Sequence, residues 1–342
     1  MSLTTALKTG DVSQLPSRRD EDWRWTDLRG LLRVLPPASE PFEGEAPAGP
    51  FAALADLPIH VVNASSPVVI RAARAEPYVV ALHFAALGGG SHTASARIEV
   101  APGAHLVLLE SYEGDEGGYV ASHDLQITVG EGARLERIVL AADGADGVSV
   151  SIADVTLAPK AQFAQTVLTD GARRQRIETR VAHPGAGSSM RLDGAYLLAD
   201  KRHADLTTVV DHMGPDGTTS QLAKGVVSDQ ARAVFQGRIV VEEGSDRTDA
   251  RMGHHALLLS DRAEVDAKPE LLIHADDVQC AHGNTVGALD DQAMFYMRQR
   301  GIPEPQARAL LISAFVGEVV ERIEHEPARE IARAWAEQRL KV

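Results

Sequence analysis

From Ile59 to Gln279 the chain is a succession of short β runs, each closed by Gly, Asp, Asn or Pro before the next begins. HLVLLE (105–110), LQITV (125–129), SVSIADVTL (149–157), RIVVEE (238–243) and HALLLS (255–260) alternate apolar and polar residues or form a brief apolar run. No convincing helical pattern of about a dozen residues interrupts them, which disfavours βαβ folds, whose parallel strands need such crossovers. A turn phrase recurs with the strands. APGAHL, GEGARL and APKAQF place Ala104, Ala133 and Ala161 29 and 28 residues apart, and SDQARAVF and SDRAEVDA place Ala231 and Ala263 32 apart. A turn repeating at a loose period of this size is the trace of stacked coils in a solenoid. A β-sandwich with common Gly-Ala turns is the alternative. The number of strands and the absence of any visible closing logic favour the stacked β-helix.

Aromatic residues are 4% of the chain and unevenly spread, with Trp23, Trp25 and Trp335 near its ends. Between Val120 and Met294 the only aromatics are Phe163, Tyr196 and Phe235, so the middle packs through Val, Leu, Ile and Ala in thin layers. At the start, Ser17 or Asp20 is placed to cap a helix through EDWRWTDLRGLLRVL. PPASEPFEGEAPAGPFAALADLP then reads as a linker, since Pro disrupts helix interiors and strand ladders alike. After Gly287 the period returns to helical. ALDDQAMFYMRQRG runs from Asp290 or Asp291 to Gly301, PEPQARALLISAFVGEVVERI carries an apolar stripe, and REIARAWAEQRL is a last amphipathic helix. The chain is thus mainly β: an N-terminal helical segment (1–35), a Pro/Ala/Gly-rich linker (36–58), a β-helix core (59–287) and a C-terminal helical domain (288–342).

The formal charge of −14 and a pI near 5.4 argue against a nucleic-acid surface, which needs clustered Lys and Arg. The first residues have no apolar h-region and no run of about 18 apolar residues occurs, so no membrane span is expected and a soluble, cytoplasmic protein is. GGGSHT (88–93) and GAGSSMRL (185–192) lack the lysine of a phosphate-binding loop and read as turn glycines. Of the 13 histidines, His254 and His255 are adjacent and face opposite sides of a strand, while His203, His212 and His274 are scattered. The lone cysteine excludes an intramolecular disulfide and a Cys-only cluster site on this chain.

That cysteine lies in ADDVQCAHG (275–283). Cys280 and His282 are two apart, so on an extended segment they project to one face. A thiolate with an imidazole suits Fe(II), Cu(I) or Zn(II), yet two ligands do not complete a tetrahedral site. The other reading is a buried structural Cys beside a His satisfied by backbone, and the residues alone leave both open. A cysteine-protease reading fails on reach, because His282 is too close in sequence to act across the thiol as a base. Asp276 and Asp277 are reminiscent of the carboxylates of β-helical pectin-active enzymes, without a clearly written catalytic pair.

KPELLIHADDVQCAHGNTVGALDDQAMFYMRQRGI (268–302) closely resembles the C-terminal signature of the SufB/SufD family of iron–sulfur cluster assembly proteins. That signature is P-x-L-x-I-x-x-D-D-V-x-C-x-H-G-x-x-x-G followed by F-Y-x-x-x-R-G-I. Here Pro269, Leu271, Ile273, Asp276, Asp277, Val278, Cys280, His282, Gly283, Gly287, Phe295, Tyr296, Arg300 and Gly301 carry it. RRDEDWRWTDLRGLL is similar to the family's R-x-E-x-W-x-[YW]-T-x-L opening helix, and 209–250 to its S-x-x-x-K-x-V and V-F-x-G-x-I-x-V segment. Gly283-Asn284 after the Cys-x-His, where SufB continues Glu-Ala, makes the chain most like SufD, with a shortened N-terminal helical region.

The resemblance implies a right-handed parallel β-helix flanked by helical segments, and a non-enzymatic scaffold subunit. It implies pairing with a SufB-like paralogue and with a SufC-like ATPase, which would hold the ATP chemistry. No cofactor is expected to bind tightly to this chain alone; iron or an Fe–S cluster is expected transiently within the complex. His282, then Cys280, are the candidate iron or nascent-cluster ligands. Phe295, Tyr296, Arg298 and Arg300 are the candidate ATPase-subunit interface, an aromatic pair flanked by Arg. The blander expectation is that Phe295 and Met294 join the helical tail to the β body. Rival readings are a β-helical carbohydrate-active enzyme and a homodimeric adaptor without a metal role.

Overall fold

The computed structural model describes residues 1–63, 67–183 and 186–340. Its described strands, in chain order, begin with β1 (Leu57–Val62), β2 (Val68–Ala72), β3 (Tyr78–Ala86), β4 (Gly90–Val100), β5 (His105–Gly114) and β6 (Tyr119–Val129). They continue with β7 (Arg134–Ala142), β8 (Val148–Leu157), β9 (Gln162–Thr169), β10 (Arg174–His183), β11 (Ser189–Leu198) and β12 (His203–His212). The last are β13 (Thr218–Val227), β14 (Arg232–Val241), β15 (Thr248–Leu258), β16 (Glu264–Ile273) and β17 (Val278–Gly287). Odd-numbered strands form a nine-stranded sheet and even-numbered strands an eight-stranded one. A chain that alternates between two parallel sheets and advances by one strand each time is a solenoid, here of about eight turns, as the recurring turns anticipated.

Register explains the apolar middle. Ala96, Leu125 and Ala153 stack on successive coils, as do Ile98, Ile127 and Val155, and Val100, Val129 and Leu157. All face the lumen and are buried. Phe163, Tyr196 and Phe235 are in the same core. The turn alanines are buried too, but they fall at two corners. Ala104, Ala133 and Ala161 precede strands β5, β7 and β9 of the larger sheet, whereas Ala231 and Ala263 precede β14 and β16 of the smaller. Each corner closes with a bond from the alanine N–H to the carbonyl three residues back, and Gly103 and Gly132 take the left-handed φ (68° and 63°) that the turn needs at its third position. Gly88, Gly89 and Gly90 likewise turn the chain into β4, while Gly185 of the second glycine cluster lies outside the described residues.

The N-terminal helix expected from Glu21 onward is not formed. A 3₁₀ turn covers Glu21–Trp23, and a helix, α2 below, is only Leu28–Leu31; the other helix here, α1, is Leu3–Thr9, capped by Ser2 and closed by Gly10 at φ 71°. Tertiary bonds outcompete helical ones. Buried Arg176 takes the Asp22 carbonyl at 2.7 Å and stacks 4.3 Å from the Trp23 ring, and Thr26 donates to buried Asp205. Asp27 then accepts from Gly30 N–H and caps a fresh turn, α2. Leu3, Ala6, Leu15 and Leu28 close over Val148 and Val150 on the outer face of the smaller sheet. Along the Pro-rich stretch, Ala38 pairs with Ser91 and Phe51 is buried against the larger sheet.

Three helices follow β17: α3 (Asp291–Gln299), α4 (Glu304–Val320) and α5 (Glu326–Arg339). Ile312, Val316, Val319, Ala332 and Trp335 cover Val107, Leu109, Ile138, Leu140 and Leu197 on the larger sheet's outer face. No helix among the described residues is long and apolar enough to cross a membrane.

Several lumen histidines are buried, and burial pushes His123 down to about 3. His123 packs 4.9 Å from Phe84 and 4.7 Å from Tyr112, ring to ring. Held neutral, it makes the folded chain bind fewer protons than the unfolded one below about pH 6.5. Its contribution is therefore complete above that pH and lost as the pH falls toward 3. In urea denaturation, His123→Phe should gain on the wild type by about 1.4 kcal/mol per pH unit below 6.5. Identical pH slopes for the two proteins would refute this.

Candidate functional site

The solenoid ends on β16 and β17. Each is the last strand of its sheet, so the final coil presents two unpaired parallel edges. Asp276 and Asp277 form part of the exposed turn between them, and the Asp277 carbonyl accepts from Arg247 N–H at 2.6 Å. Leu272, Ile273 and Val286 are also exposed here.

Residues at alternate positions of β17 continue the lumen columns of β15. Cys280 lies over Ala250, His282 over Met252 and Asn284 over His254, and the three β15 residues are buried. Cys280 and His282 thus share the inner face of the last coil, on which no further described strand stacks. Cys280 is half-buried and packs against the core; His282 is exposed. Burial, with a smaller push from Asp249, raises the Cys280 thiol above its usual range, so it rests protonated at neutral pH. A soft or borderline cation could take the imidazole first and the thiolate once a proton has left. Among the described residues no group of three or more His, Cys, Asp or Glu side chains could hold a metal ion. The pair can offer two donors to a cation or cluster shared with another donor set.

Beneath the pair is a polar chain that sequence reasoning missed. His254, set aside there for facing away from His255, places Nδ1 2.7 Å from Asn284 Oδ1 and Nε2 2.8 Å from Tyr196 Oη. Its ring stacks on Phe235 at 4.5 Å and 5°. Burial pushes it down to about 4, which keeps it neutral. Tyr196 reaches from β11 across β13 only because residue 225 is glycine: a Cβ there would stand 1.8 Å from the ring. His203 and His212 are buried on β12, away from this coil, and His274 is exposed just after β16.

Eight residues beyond the terminal strand's end lie the exposed aromatics. Asp290 caps α3 by accepting from Gln292 and Ala293 N–H. Phe295 is 65% and Tyr296 59% exposed, and α3 buries none of its residues. Phe295 therefore does not join the tail to the β body. Arg300 lies 4.9 Å from the Tyr296 ring centroid, and Arg298 pairs with Glu304 at 3.4 Å. The joining falls to α4 and α5. Lys224 pairs with Glu318 and lies 4.4 Å from the Phe315 ring, Arg322 reaches Asp193 at 3.1 Å and Ser220 at 3.0 Å, and Glu136 accepts the N–H groups of Glu324 and His325. The S-x-x-x-K motif at Ser220 and Lys224 is thus a fastening for the tail.

Comparison with known proteins gives one consistent family. Residues 85–315, about two thirds of the chain, match the model described as SUF system FeS cluster assembly, SufBD core domain. The iron-sulfur cluster assembly protein SufD of Escherichia coli (strain K12) is 28% identical over 391 residues, spanning 99% of this chain and 91% of that protein. A SufBD family protein of Mycobacterium leprae (strain TN) is 26% identical, spanning 100% of this chain and 96% of that one. SufD of Bacillus subtilis (strain 168) is 33% identical over 137 residues, 40% of this chain and 31% of that protein.

The close approach at Gly225 makes a direct test. Gly225→Ala should destabilise the chain by about 2–3 kcal/mol through overpacking. In a double-mutant cycle with Tyr196→Ala, denaturation should show at least about 1 kcal/mol of favourable coupling. Strict additivity would mean that the Tyr196 ring does not lie over residue 225.

Proposed function

The chain belongs to the SufBD core family, and on that footing we propose that it is a SufD-like scaffold subunit of iron–sulfur cluster assembly, working in the cytoplasm with a SufB-like paralogue and a SufC-like ATPase. The observation that carries the reading is the uncovered last coil, where two unpaired strand edges and the Cys280–His282 pair coincide. Unpaired edges are templates for strand addition by another chain. A paralogue with the same coil would bring its own donors to the face that Cys280 and His282 share. Iron, or a forming cluster, is cargo in this reading. His282 offers an exposed imidazole and Cys280 a thiol that must release a proton to bind, while the remaining positions are filled by the partner. In an isolated chain the same edges can pair with a second copy.

The helical tail gives the second contact. Phe295 and Tyr296 project from α3, a helix with no buried residues whose main packing partner is α4, with Arg298 and Arg300 beside them, a composition suited to the centre of an interface. ATP hydrolysis belongs to the subunit docked there, and this chain is not itself the enzyme.

Replacing His282 by Ala should abolish cluster maturation in cells while the complex still co-purifies; normal maturation in that strain would remove His282 from the site. Phe295→Ala combined with Tyr296→Ala should leave the melting temperature within about 2 °C, as expected for exposed positions. It should cut capture of the ATPase subunit at least tenfold in co-expression pull-downs. Undiminished capture would place that interface elsewhere, and failure of the wild-type chain to bring down either partner would end the scaffold reading.

A further inference from the structure

The adjacent histidines His254 and His255 have no part in the reading above, yet each bonds to a residue of the same neighbouring strand, β17. On the lumen side His254 Nδ1 is 2.7 Å from Asn284 Oδ1, and on the outer side His255 Nδ1 is 2.7 Å from Thr285 Oγ1. We infer that His254 and His255 form a two-sided clamp that positions the terminal strand β17, and with it Cys280 and His282. The functional consequence rests on the scaffold reading; the clamp itself rests on geometry alone.

β17 needs such a device. It has one strand neighbour, β15, and its other edge is unpaired. Glycines at 283 and 287 flank the clamped residues, and at neither would a Cβ have an atom of a residue beyond its chain neighbours within 4 Å. Gly283 therefore separates His282 from the clamp by one residue without packing, a place where an end strand frays first. Asn284 and Thr285 are side chains of opposite face, so two bonds from one dipeptide hold the strand against both twist and peel.

The inner half is anchored in depth. With Nδ1 donating to Asn284, Nε2 accepts from the Tyr196 hydroxyl at 2.8 Å, so both ring nitrogens are satisfied in one tautomer. Tyr196 belongs to β11, and the chain of bonds spans β11 to β17 over the gap left by Gly225. On the outer face, Lys224, His255 and Thr285 occupy successive coils, and Lys224 is fastened to Glu318 of α4. Strand and helical tail are thus tied to the same β13–β15 platform. His254 and His255 act through Asn284 and Thr285, so they are positioning residues for the candidate ligands.

The single thiol makes the test specific, because Cys280 is the only cysteine that a disulfide reagent can find. In the full-length chain, His254→Leu, which keeps bulk and removes both lumen bonds, should speed Cys280 modification by 5,5′-dithiobis(2-nitrobenzoate) and amide exchange in 281–286 at least tenfold. Exchange in β13 should stay unchanged. His255→Ala should give a smaller rise, and the double variant a larger one than either. His254→Asn, which places an amide N–H where Nδ1–H was, should return both rates to within about threefold of wild type. Unchanged rates in 281–286, or a rise shared by β13, would overturn the clamp. In cells, His254→Leu should lower cluster maturation and His254→Asn restore it. A loosened β17 with normal maturation would reduce the clamp to a structural detail and overturn the positioning claim. Normal maturation in His282→Ala is a different failure: it removes the scaffold-site reading and leaves the exchange result to judge the clamp.

Discussion

Every coil of this chain buries its inner face across the lumen and against the coils before and after it, in strict parallel register. That constraint runs through the rest of the molecule. It makes small and β-branched residues the natural filling of a thin lumen, and it places alanine at the corners where the backbone turns between sheets. It also means that a terminal coil is always incomplete. β17 carries the column of β15 one step further and is the last described strand of its sheet. The same stacking that hides Ala250 and Met252 leaves Cys280 half-covered and His282 open. The candidate site is thus a consequence of where stacking stops.

The outer faces obey a second rule. A sheet closed on one side by the lumen still has an apolar exterior, and the two chain ends cover one exterior each. Polar anchors decide how they sit. Under the N-terminal segment, Arg176 is fully buried between Glu178 and Asp205 and stacks on Trp23. Inside the lumen Arg137 is equally buried, bonded to Glu110 and Gln165. Buried pairs of this kind cost desolvation that their attraction offsets only with good geometry, and loss of either partner leaves an uncompensated buried charge.

Much of the fold was legible because periodicity is local. Alternation showed the strands, turn residues showed their ends, and the interval between Ala104, Ala133 and Ala161 showed the coil. The helical tail was legible from its apolar stripe. The N-terminal segment was misread for a reason of the same kind in reverse. Trp23, Thr26 and Leu28 fall near helical spacing, but Trp23 stacks on Arg176 and Thr26 bonds to Asp205, partners 150 or more residues away in sequence, while Leu28 packs on the outer face of the smaller sheet. The site was half legible. Cys280 and His282 could be put on one face from their spacing, whereas the bonds of His254 and His255 to Asn284 and Thr285 depend on the register of β15 with β17.

Read alone, the residues favoured a stacked β chain with a helical tail, excluded a cluster site built from one cysteine, and put Cys280 and His282 on one face of an extended segment. These follow from short-range rules of backbone period and donor count. It took the folded coils to show that the recurring alanines occupy two corners, that Phe295 is exposed while α4 and α5 do the joining, and that the pair lies on the last of the described coils. Those facts depend on which residue stacks on which some thirty positions away. Stacking of that range is set by the sum of many lumen contacts, and no local pattern records the sum.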